Sequence, residues 1–239
     1  MPEVFISLRR LKLVMAIGIA VLAMNVITLQ YFATGAADDP VDMTVLQGHH
    51  IAIDPGHGGI DDGASGNGIT EKEINLAISL KLADILRSSG AQVTLTREND
   101  IDYYTKGKGG KRNDLLKRVG IINESGAELF ISIHVNSIRG GSLFGAQVFY
   151  GGKYPSSKVL AETMQQQLRG FPPGNKRQAK QDMDIIVLNA SDIPGVLVET
   201  GFLSNRNEAQ KLLDTAYQQK MAEHIAKALA YHLNQNVAR

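Results

Sequence analysis

The sequence contains no cysteine and no tryptophan, and its positive and negative charges nearly cancel. Its 239 residues include Lys+Arg 25 and Asp+Glu 24, which gives a formal net charge of +1. The absence of cysteine excludes disulfides, thiolate nucleophiles and cysteine-ligated zinc, and it leaves His, Asp and Glu as the available metal ligands. Because the charges balance, no global field attracts nucleic acid, and we expect no nucleic-acid partner. The hydrophobic content of 44% is typical of one globular domain.

An apolar run lies near the amino terminus. Three basic residues precede it, and it extends from residue 13 to about residue 29. At roughly 1.5 Å per residue, such a run approaches the thickness of a bilayer core, about 30 Å. The preceding basic residues predict a cytoplasmic amino end and an exported remainder. We therefore predict an uncleaved membrane anchor or a cleaved signal over residues 1–35, a linker over 36–47 and a folded domain over 48–239.

From residue 48 onward, short apolar segments alternate with amphipathic ones. Residues 71 to about 89 carry apolar side chains at three- and four-residue spacing and stop at Gly90, which predicts a helix. The other predicted helices are 113–124, 156–168 and 217–233, and the predicted strands are 51–53, 91–96, 130–134, 145–150, 185–188 and 195–199. This alternation predicts an α/β fold, a single domain with a mainly parallel twisted sheet and helices on both faces.

Polar residues stand where three of the predicted strands end. His57 lies in a glycine-rich turn after the first strand, His134 ends the third strand, and Glu199 ends the last. Ligands of such sheets gather beyond the carboxyl ends of the strands. Glu71 begins the helix that follows the glycine turn, so a short loop brings its carboxylate beside His57. Two imidazoles and a carboxylate are the ligand set of many hydrolytic zinc sites, and a second carboxylate nearby accepts a proton from water.

Each of these residues also has an ordinary structural explanation. A histidine in a turn is commonly solvated, and Glu71 suits the first turn of a helix because of the helix dipole. Glu73 competes with Glu71 for a ligand role, although it points elsewhere around the helix. Glu199 is the hardest to explain in this way, because a carboxylate at the end of an apolar strand is costly to bury without a partner.

Six separated blocks of sequence recur, in the same order, in one family of hydrolases. They lie at residues 57–59, 63–64, 71–76, 96–100, 132–136 and 197–205. These blocks closely resemble the zinc-dependent N-acetylmuramoyl-L-alanine amidases that trim bacterial peptidoglycan. The resemblance implies one Zn²⁺ per chain, held by His57, Glu71 and His134, with Glu199 as the catalytic glutamate. It also implies hydrolysis of the amide between N-acetylmuramic acid and the L-alanine of the stem peptide. Asn136 and Arg118 are weaker candidates for substrate contact.

A narrower resemblance rests on the loop from residue 102 to residue 112, with Asp114 and Arg118 after it. This stretch resembles the germination-specific branch of spore-formers, which carries an amino-terminal membrane segment and no wall-binding repeats. The branch implies action in the spore cortex, as the first step toward muramic-δ-lactam. We expect an exported protein, anchored in the membrane by its amino-terminal segment or secreted to the cell wall or the forespore intermembrane space.

Several alternatives stay open. The other candidate functions are a general vegetative autolysin, a zinc peptidase or deacetylase, and a wall-binding protein without catalysis. The need for a protein activator is not decided by the sequence. The basic loop over residues 106–112 is either a solvated insertion or a border of the substrate groove.

Overall fold

The computed structural model describes most of the chain after residue 40. The described residues are Met15, Ile17, Gly18, Val21, 41–66, 68–107 and 109–237. The chain divides into a unit from Met1 to Val41 and a unit from Asp42 to Arg239, and every element named below belongs to the second. The predicted anchor over 1–35 lies, apart from four helical residues, outside the described residues. Within the described part of the chain, no helix combines the length and the apolarity needed to cross a bilayer.

The predicted linker over 36–47 is described only from residue 41. Its last part forms a 3₁₀-helix at Met43–Leu46, in which Leu46 is fully buried. Asp42 caps this helix by accepting a hydrogen bond of 2.9 Å from the Thr44 amide. The domain boundaries at residues 35 and 47 stay predictions.

A six-stranded sheet forms the centre of the second unit. Its strands are β1 His50–Pro55, β4 Gln92–Leu95, β5 Leu129–Asn136, β6 Gln147–Tyr150, β7 Lys180–Gln181 and β8 Gly195–Phe202. A separate hairpin pairs β2 Ser65–Gly66 with β3 Ile69–Thr70. In the six-stranded sheet the strand order is β4-β1-β5-β8-β6-β7, and among the described pairings of this sheet only β6–β8 is antiparallel. The predicted α/β fold with a mainly parallel sheet is confirmed, and β1, β5 and β8 lie side by side with their carboxyl ends at one edge.

Six helices accompany the sheet in the described residues. They are α1 Glu71–Ser88, α2 Gly110–Glu124, α3 Pro155–Leu168, α4 Ile186–Ala190, α5 Arg206–Leu213 and α6 Thr215–Val237. On one face, Ala52, Phe130 and Leu197 of the central strands pack against α2 and α4. On the other face α6 packs against both α1 and α3. The sheet therefore supplies a buried scaffold that presents the carboxyl ends of its central strands.

The prediction of a strand over Ile185–Leu188 is wrong, because this segment forms α4. A short apolar run is compatible with a buried strand or a buried helix, and periodicity does not separate the two. The turn before α4 decides the outcome locally: the Asp182 carboxylate accepts hydrogen bonds from the amides of Asp184 and Ile185. At the other end, the Ser191 hydroxyl donates to the Val187 carbonyl.

Helix α5 was not predicted. Its amino-terminal signal is Asn205, whose side-chain oxygen accepts hydrogen bonds from the amides of Asn207 and Glu208. The Glu208 side chain then folds back, and its oxygens accept from the amides of Gly145 and Phe202. Helix α5 thus fixes the end of β8 and the loop before β6.

Candidate metal centre and active site

The turn after β1 holds His57 in a conformation that L-residues rarely adopt. The φ angle of His57 is 59°, in the left-handed region. Two buried arginines hold the backbone around it: Arg97 donates to the carbonyls of Pro55 and Gly56 at 2.9 Å each. Arg118 donates to the Pro55 carbonyl at 2.8 Å and to the His57 carbonyl at 2.6 Å. The turn is therefore imposed by its surroundings, and it fixes the direction of the His57 imidazole.

Arg118 lies inside the protein and does not reach solvent. Its side chain is 1% exposed and pairs with Asp54 at 3.1 Å and with Asp114 at 2.9 Å. Although burial lowers it, these two carboxylates raise the pKa of Arg118 overall. Every nitrogen of its guanidinium already has a protein partner. The structure thus gives Arg118 a positioning role. Arg118 also lines the cavity described below, and its contact with substrate stays a prediction.

Glu71, the first residue of α1, has both carboxylate oxygens fully engaged. Oε2 accepts a hydrogen bond from the Ala64 amide at 2.8 Å, and Oε1 accepts from the Val135 amide at 3.1 Å. Oε1 also lies 2.9 Å from Nδ1 of His134 and 3.3 Å from Nε2 of His57. Burial raises the pKa of Glu71, but the hydrogen bonds and charges of the two histidines outweigh it and lower the pKa far below its usual range.

The three predicted metal ligands meet at one point. Ligand atoms of His57, Glu71 and His134 all lie within 4.8 Å of one another, and the two imidazoles meet edge-on with centroids 4.9 Å apart. Two ring nitrogens and one carboxylate oxygen form the donor set of hydrolytic zinc sites. Glu73, the competing carboxylate, is exposed. The residues present therefore fit a zinc ion.

Asp61, which is not among the predicted site residues, orients the first of these ligands. Its Oδ2 lies 2.9 Å from Nδ1 of His57 and 3.0 Å from Nζ of Lys111. Burial raises the pKa of Asp61, whereas the hydrogen bonds with His57 and Lys111 lower it, and the net shift is downward. A carboxylate on one ring nitrogen directs the other nitrogen toward the metal. The only signal in the sequence was an aspartate four residues after His57 within the glycine-rich turn.

Glu199 lies beside the ligand cluster, and its surroundings differ from those of Glu71. It is the register partner of His134 across the β5–β8 pairing. Its Oε2 is buried and has no hydrogen-bond partner among the described residues. Burial and the negative charge of Glu71 raise the pKa of Glu199 to about 8, and the positive charge of Arg177 opposes this shift. A buried carboxylate without a partner has the proton affinity of a general base or acid.

A cavity of about 320 Å³ opens onto these residues. Its lining includes His57, His134, Glu199, Lys111 and Arg118, and Ile185–Val187 contribute apolar side chains. These apolar residues belong to the start of α4, the segment wrongly predicted as a strand. A larger groove, about 490 Å³, lies between α1 and α6, but none of its lining residues belongs to the metal-binding cluster found in the described residues.

Asn136 ends β5, two residues beyond His134, and is half-buried. The register between β5 and β8 shifts between His134 and Asn136. Asn136 does not line the cavity described above. Contact between Asn136 and substrate stays a prediction.

Comparison with known proteins gives consistent matches. Residues 51–231 match the family model described as N-acetylmuramoyl-L-alanine amidase. The germination-specific N-acetylmuramoyl-L-alanine amidase of Bacillus subtilis is 42% identical over 188 residues, which span 77% of this chain and 79% of that protein. The sporulation-specific amidase of the same organism is 32% identical over 77% of this chain and 68% of that protein. The structure of the CwlD amidase from Clostridioides difficile, solved in complex with the GerS lipoprotein, superposes with a TM-score of 0.74 at 39% identity, over 78% of this chain and 99% of that chain.

Proposed function

The chain belongs to the N-acetylmuramoyl-L-alanine amidase family, and we propose that it is a zinc-dependent member that acts on the spore cortex. As an amidase of this family, it hydrolyses peptidoglycan. One observation carries the proposal. The donor atoms of His57, Glu71 and His134 lie within 4.8 Å of one another. Beside them lies the half-buried Glu199, whose Oε2 is buried and has no hydrogen-bond partner among the described residues.

One zinc ion would be held by Nε2 of His57, Nδ1 of His134 and Oε1 of Glu71, the atoms that face one another. When bound, zinc supplies a Lewis acid that polarises the scissile carbonyl and acidifies water. Asp61 keeps the His57 ring in the ligating orientation. The amides of Ala64 and Val135 fix the Glu71 carboxylate, so the ligand geometry is formed by the fold itself.

Glu199 carries the proton transfers in this proposal. As a carboxylate it accepts a proton from the attacking water, and it then returns that proton to the amine of L-alanine as the amide bond breaks. Its Oε2 suits this exchange because no donor in the described part of the chain hydrogen-bonds to it. The apolar wall at Ile185–Val187 limits water on that side of the cavity.

The spore cortex is the proposed site of action because the relatives with germination-specific and sporulation-specific names cover most of this chain. In the cortex, removal of the stem peptide from muramic acid would be the first step toward muramic-δ-lactam. Mass spectrometry of cortex muropeptides from spores that lack this protein tests the assignment. We expect muramic-δ-lactam to be absent, and its persistence would contradict the cortex role and favour a general vegetative autolysin.

The product of the reaction separates the remaining chemical alternatives. The zinc-loaded protein, incubated with a defined muramoyl-peptide, should release the intact stem peptide with a free L-alanine amine. Release of acetate would indicate a deacetylase, and cleavage within the stem would indicate a peptidase. Metal analysis of the same sample should find one zinc per chain. Protein that retains its fold but neither binds zinc nor releases product would be a wall-binding protein without catalysis.

We also propose that the protein is exported, and that residues 1–35 anchor it in the membrane or are removed. Intact mass spectrometry of the protein from the membrane fraction decides between these fates, since the uncleaved chain has a mass of 25.9 kDa. The Clostridioides difficile relative was solved in complex with a lipoprotein, which supports a lipoprotein partner here. Crosslinking in sporulating cells should capture such a partner, and recovery of the amidase alone would contradict it.

A further inference from the structure

The basic residues of this chain are unevenly distributed. Residues 137–181 contain seven basic residues and one acidic residue, Glu162, a net charge of +6 in a chain whose total is +1. The rest of the chain is therefore net acidic. The basic segment forms β6, α3 and β7, which are one border of the sheet, and it begins directly after β5. One side of the domain thus presents positive charge next to the strands that carry His134 and Glu199.

Exposed apolar side chains accompany this charge in the loop between β5 and β6. Ile138 is 45% exposed, Leu143 is 41% exposed and Phe144 is 44% exposed. Arg139, the residue after Ile138, and Lys176 are also exposed, and neither has a salt bridge to a carboxylate among the described residues. We call these five residues the tip surface. Leu143, Phe144 and Lys176 also line a groove of about 520 Å³.

The backbone beneath the tip surface is firmly held, so the exposed side chains do not reflect a loose loop. The Ile138 amide donates to the Ser204 hydroxyl at 3.2 Å, and the Asn205 side chain donates to the Leu143 carbonyl at 3.2 Å. The Gly145 amide donates to Glu208 at 2.8 Å in a buried position. These partners come from the end of β8 and the start of α5, the same edge of the sheet as the metal centre.

A direct chain of contacts links the tip surface to Glu199. Arg177 lines the groove and donates to the Phe144 carbonyl at 3.1 Å and to the Gln147 side chain at 2.6 Å. Gln147 is the register partner of Glu199 in the β6–β8 pairing. The groove therefore adjoins the position on β6 that pairs with Glu199.

We propose that the tip surface binds the peptidoglycan polymer next to the bond that is cut, an inference that rests on the proposed function of the metal centre. Arg139 and Lys176 meet carboxylates of neighbouring stem peptides, and Leu143 and Phe144 pack against apolar faces of the glycan. Unpaired cations attract an anionic polymer, and exposed apolar patches of this kind mark binding surfaces. A bilayer on the same side would cover the edge where the polymer must enter, so the polymer is the occupant that the location favours.

Two variants test the proposal, one for charge and one for apolar contact. They are the full chain with Arg139→Glu and Lys176→Glu, and the full chain with Leu143→Ser and Phe144→Ser. Lys220→Glu and Val159→Ser are matched controls, because both positions are exposed and lie outside the groove. On insoluble peptidoglycan, kcat/KM should fall about tenfold in each test variant, equivalent to about 1.4 kcal/mol. On a soluble disaccharide-peptide, the test variants should match wild type, which also verifies their folding.

Binding is measured separately from catalysis by sedimentation with purified cell wall, with Glu199→Gln added to every protein to prevent digestion. Both test variants should lose most of their binding, the controls should keep it, and added salt should weaken it. Unchanged binding of the test variants would overturn the proposal. Residues 1–35 are the same in every protein, so any vesicle binding through them is common to all. Sedimentation of wild type with phosphatidylglycerol vesicles above that of the test variants would also overturn the proposal and assign the surface to a membrane. Failure of wild type to cleave the soluble substrate would instead refute the proposed amidase chemistry, while the sedimentation result would still decide the tip surface.

Discussion

Glu71 and Glu199 lie on neighbouring parts of the same centre but have opposite environments. Glu71 accepts hydrogen bonds at both oxygens and faces two imidazoles, which hold its pKa low. Oε2 of Glu199 is buried and meets no hydrogen-bond partner within the described ranges, and burial and the charge of Glu71 raise the pKa of Glu199 to about 8. Environments that shift the pKa values of two carboxylates in opposite directions separate their chemical roles. Glu71 therefore remains an anion and suits a metal ligand, and Glu199 suits proton exchange.

The strongest test of this contrast is Glu71→Gln. The neutral amide removes one ligand and the charge that the two histidines face, so zinc content and activity should fall together. Loss of Lewis-acid catalysis is worth several kcal/mol, or about 10³-fold in rate. Metal analysis and turnover on a muramoyl-peptide check this. A variant that keeps stoichiometric zinc would remove Glu71 from the ligand set.

The second test displaces the His134 side chain without replacing any of the three predicted metal ligands. A Cβ at Gly56 would lie 2.3 Å from ring atoms of His134, so Gly56→Ala must displace that imidazole. A displacement of about 1 Å at a catalytic centre can cost about 10²-fold in activity, and zinc affinity should weaken as well. Gly120→Ala is the control, because a Cβ there meets nothing within 4 Å. Wild-type zinc affinity in Gly56→Ala would contradict the described position of His134.

A third, smaller effect is expected at Asp61. Asp61→Asn weakens the partner of His57 Nδ1 and should reduce zinc affinity by about 10- to 100-fold, as is typical of residues that orient ligands. Asp62→Asn is a close control, because Asp62 is exposed and pairs with Lys72 rather than with His57. Zinc titration and thermal unfolding of the metal-free proteins separate ligand orientation from folding. Equal zinc affinities of the two variants would refute the role of Asp61.

The smallest expected effect is on the pH dependence of stability in the metal-free protein. Burial raises the pKa of Glu199 to about 8 in the folded state, whereas the pKa of an unfolded glutamate is about 4.3. Between these values the folded state binds more protons, so Glu199 makes stability fall as pH rises. The pKa of Glu71 is lowered in the folded state, so Glu71 has the opposite effect on stability. Its stabilising contribution is complete above the pKa of the unfolded glutamate and is lost as pH falls toward the folded-state pKa.

Urea unfolding with a chelator present measures these two contributions. Glu199→Gln should become progressively more stable than wild type between pH 5 and about pH 8. Glu71→Gln should show no such gain in that window. A constant difference between Glu199→Gln and wild type across the window would contradict the raised pKa.

Much of the architecture was predictable because its signals are local and repeated. Helix α1 was bounded by an apolar periodicity and by Gly90, and the central strands were apolar runs that end in polar residues. The parallel arrangement then brought His57, His134 and Glu199 to one edge. The sequence could not separate strand from helix at Ile185–Leu188, because four apolar residues fit both.

The residues that position the metal ligands were harder to predict. Arg118 is 1% exposed, and a charged residue near a catalytic motif gives no sequence signal that it is buried. Asp61 contacts His57 only because the left-handed turn folds back on itself, with Gly58 and Asp61 exchanging backbone hydrogen bonds. Such contacts depend on the three-dimensional path of the turn and not on a periodic pattern.

The most direct test of the account is a comparison of Glu199→Gln with wild type, both loaded with zinc, on one defined muramoyl-peptide. Because Glu199 exchanges the proton and does not hold the metal, the variant should contain as much zinc as wild type. Its release of the stem peptide should fall by about 10²–10⁴-fold, the contribution of a general base or acid. Wild-type turnover by Glu199→Gln, or loss of its zinc, would contradict the separation of roles between the two carboxylates.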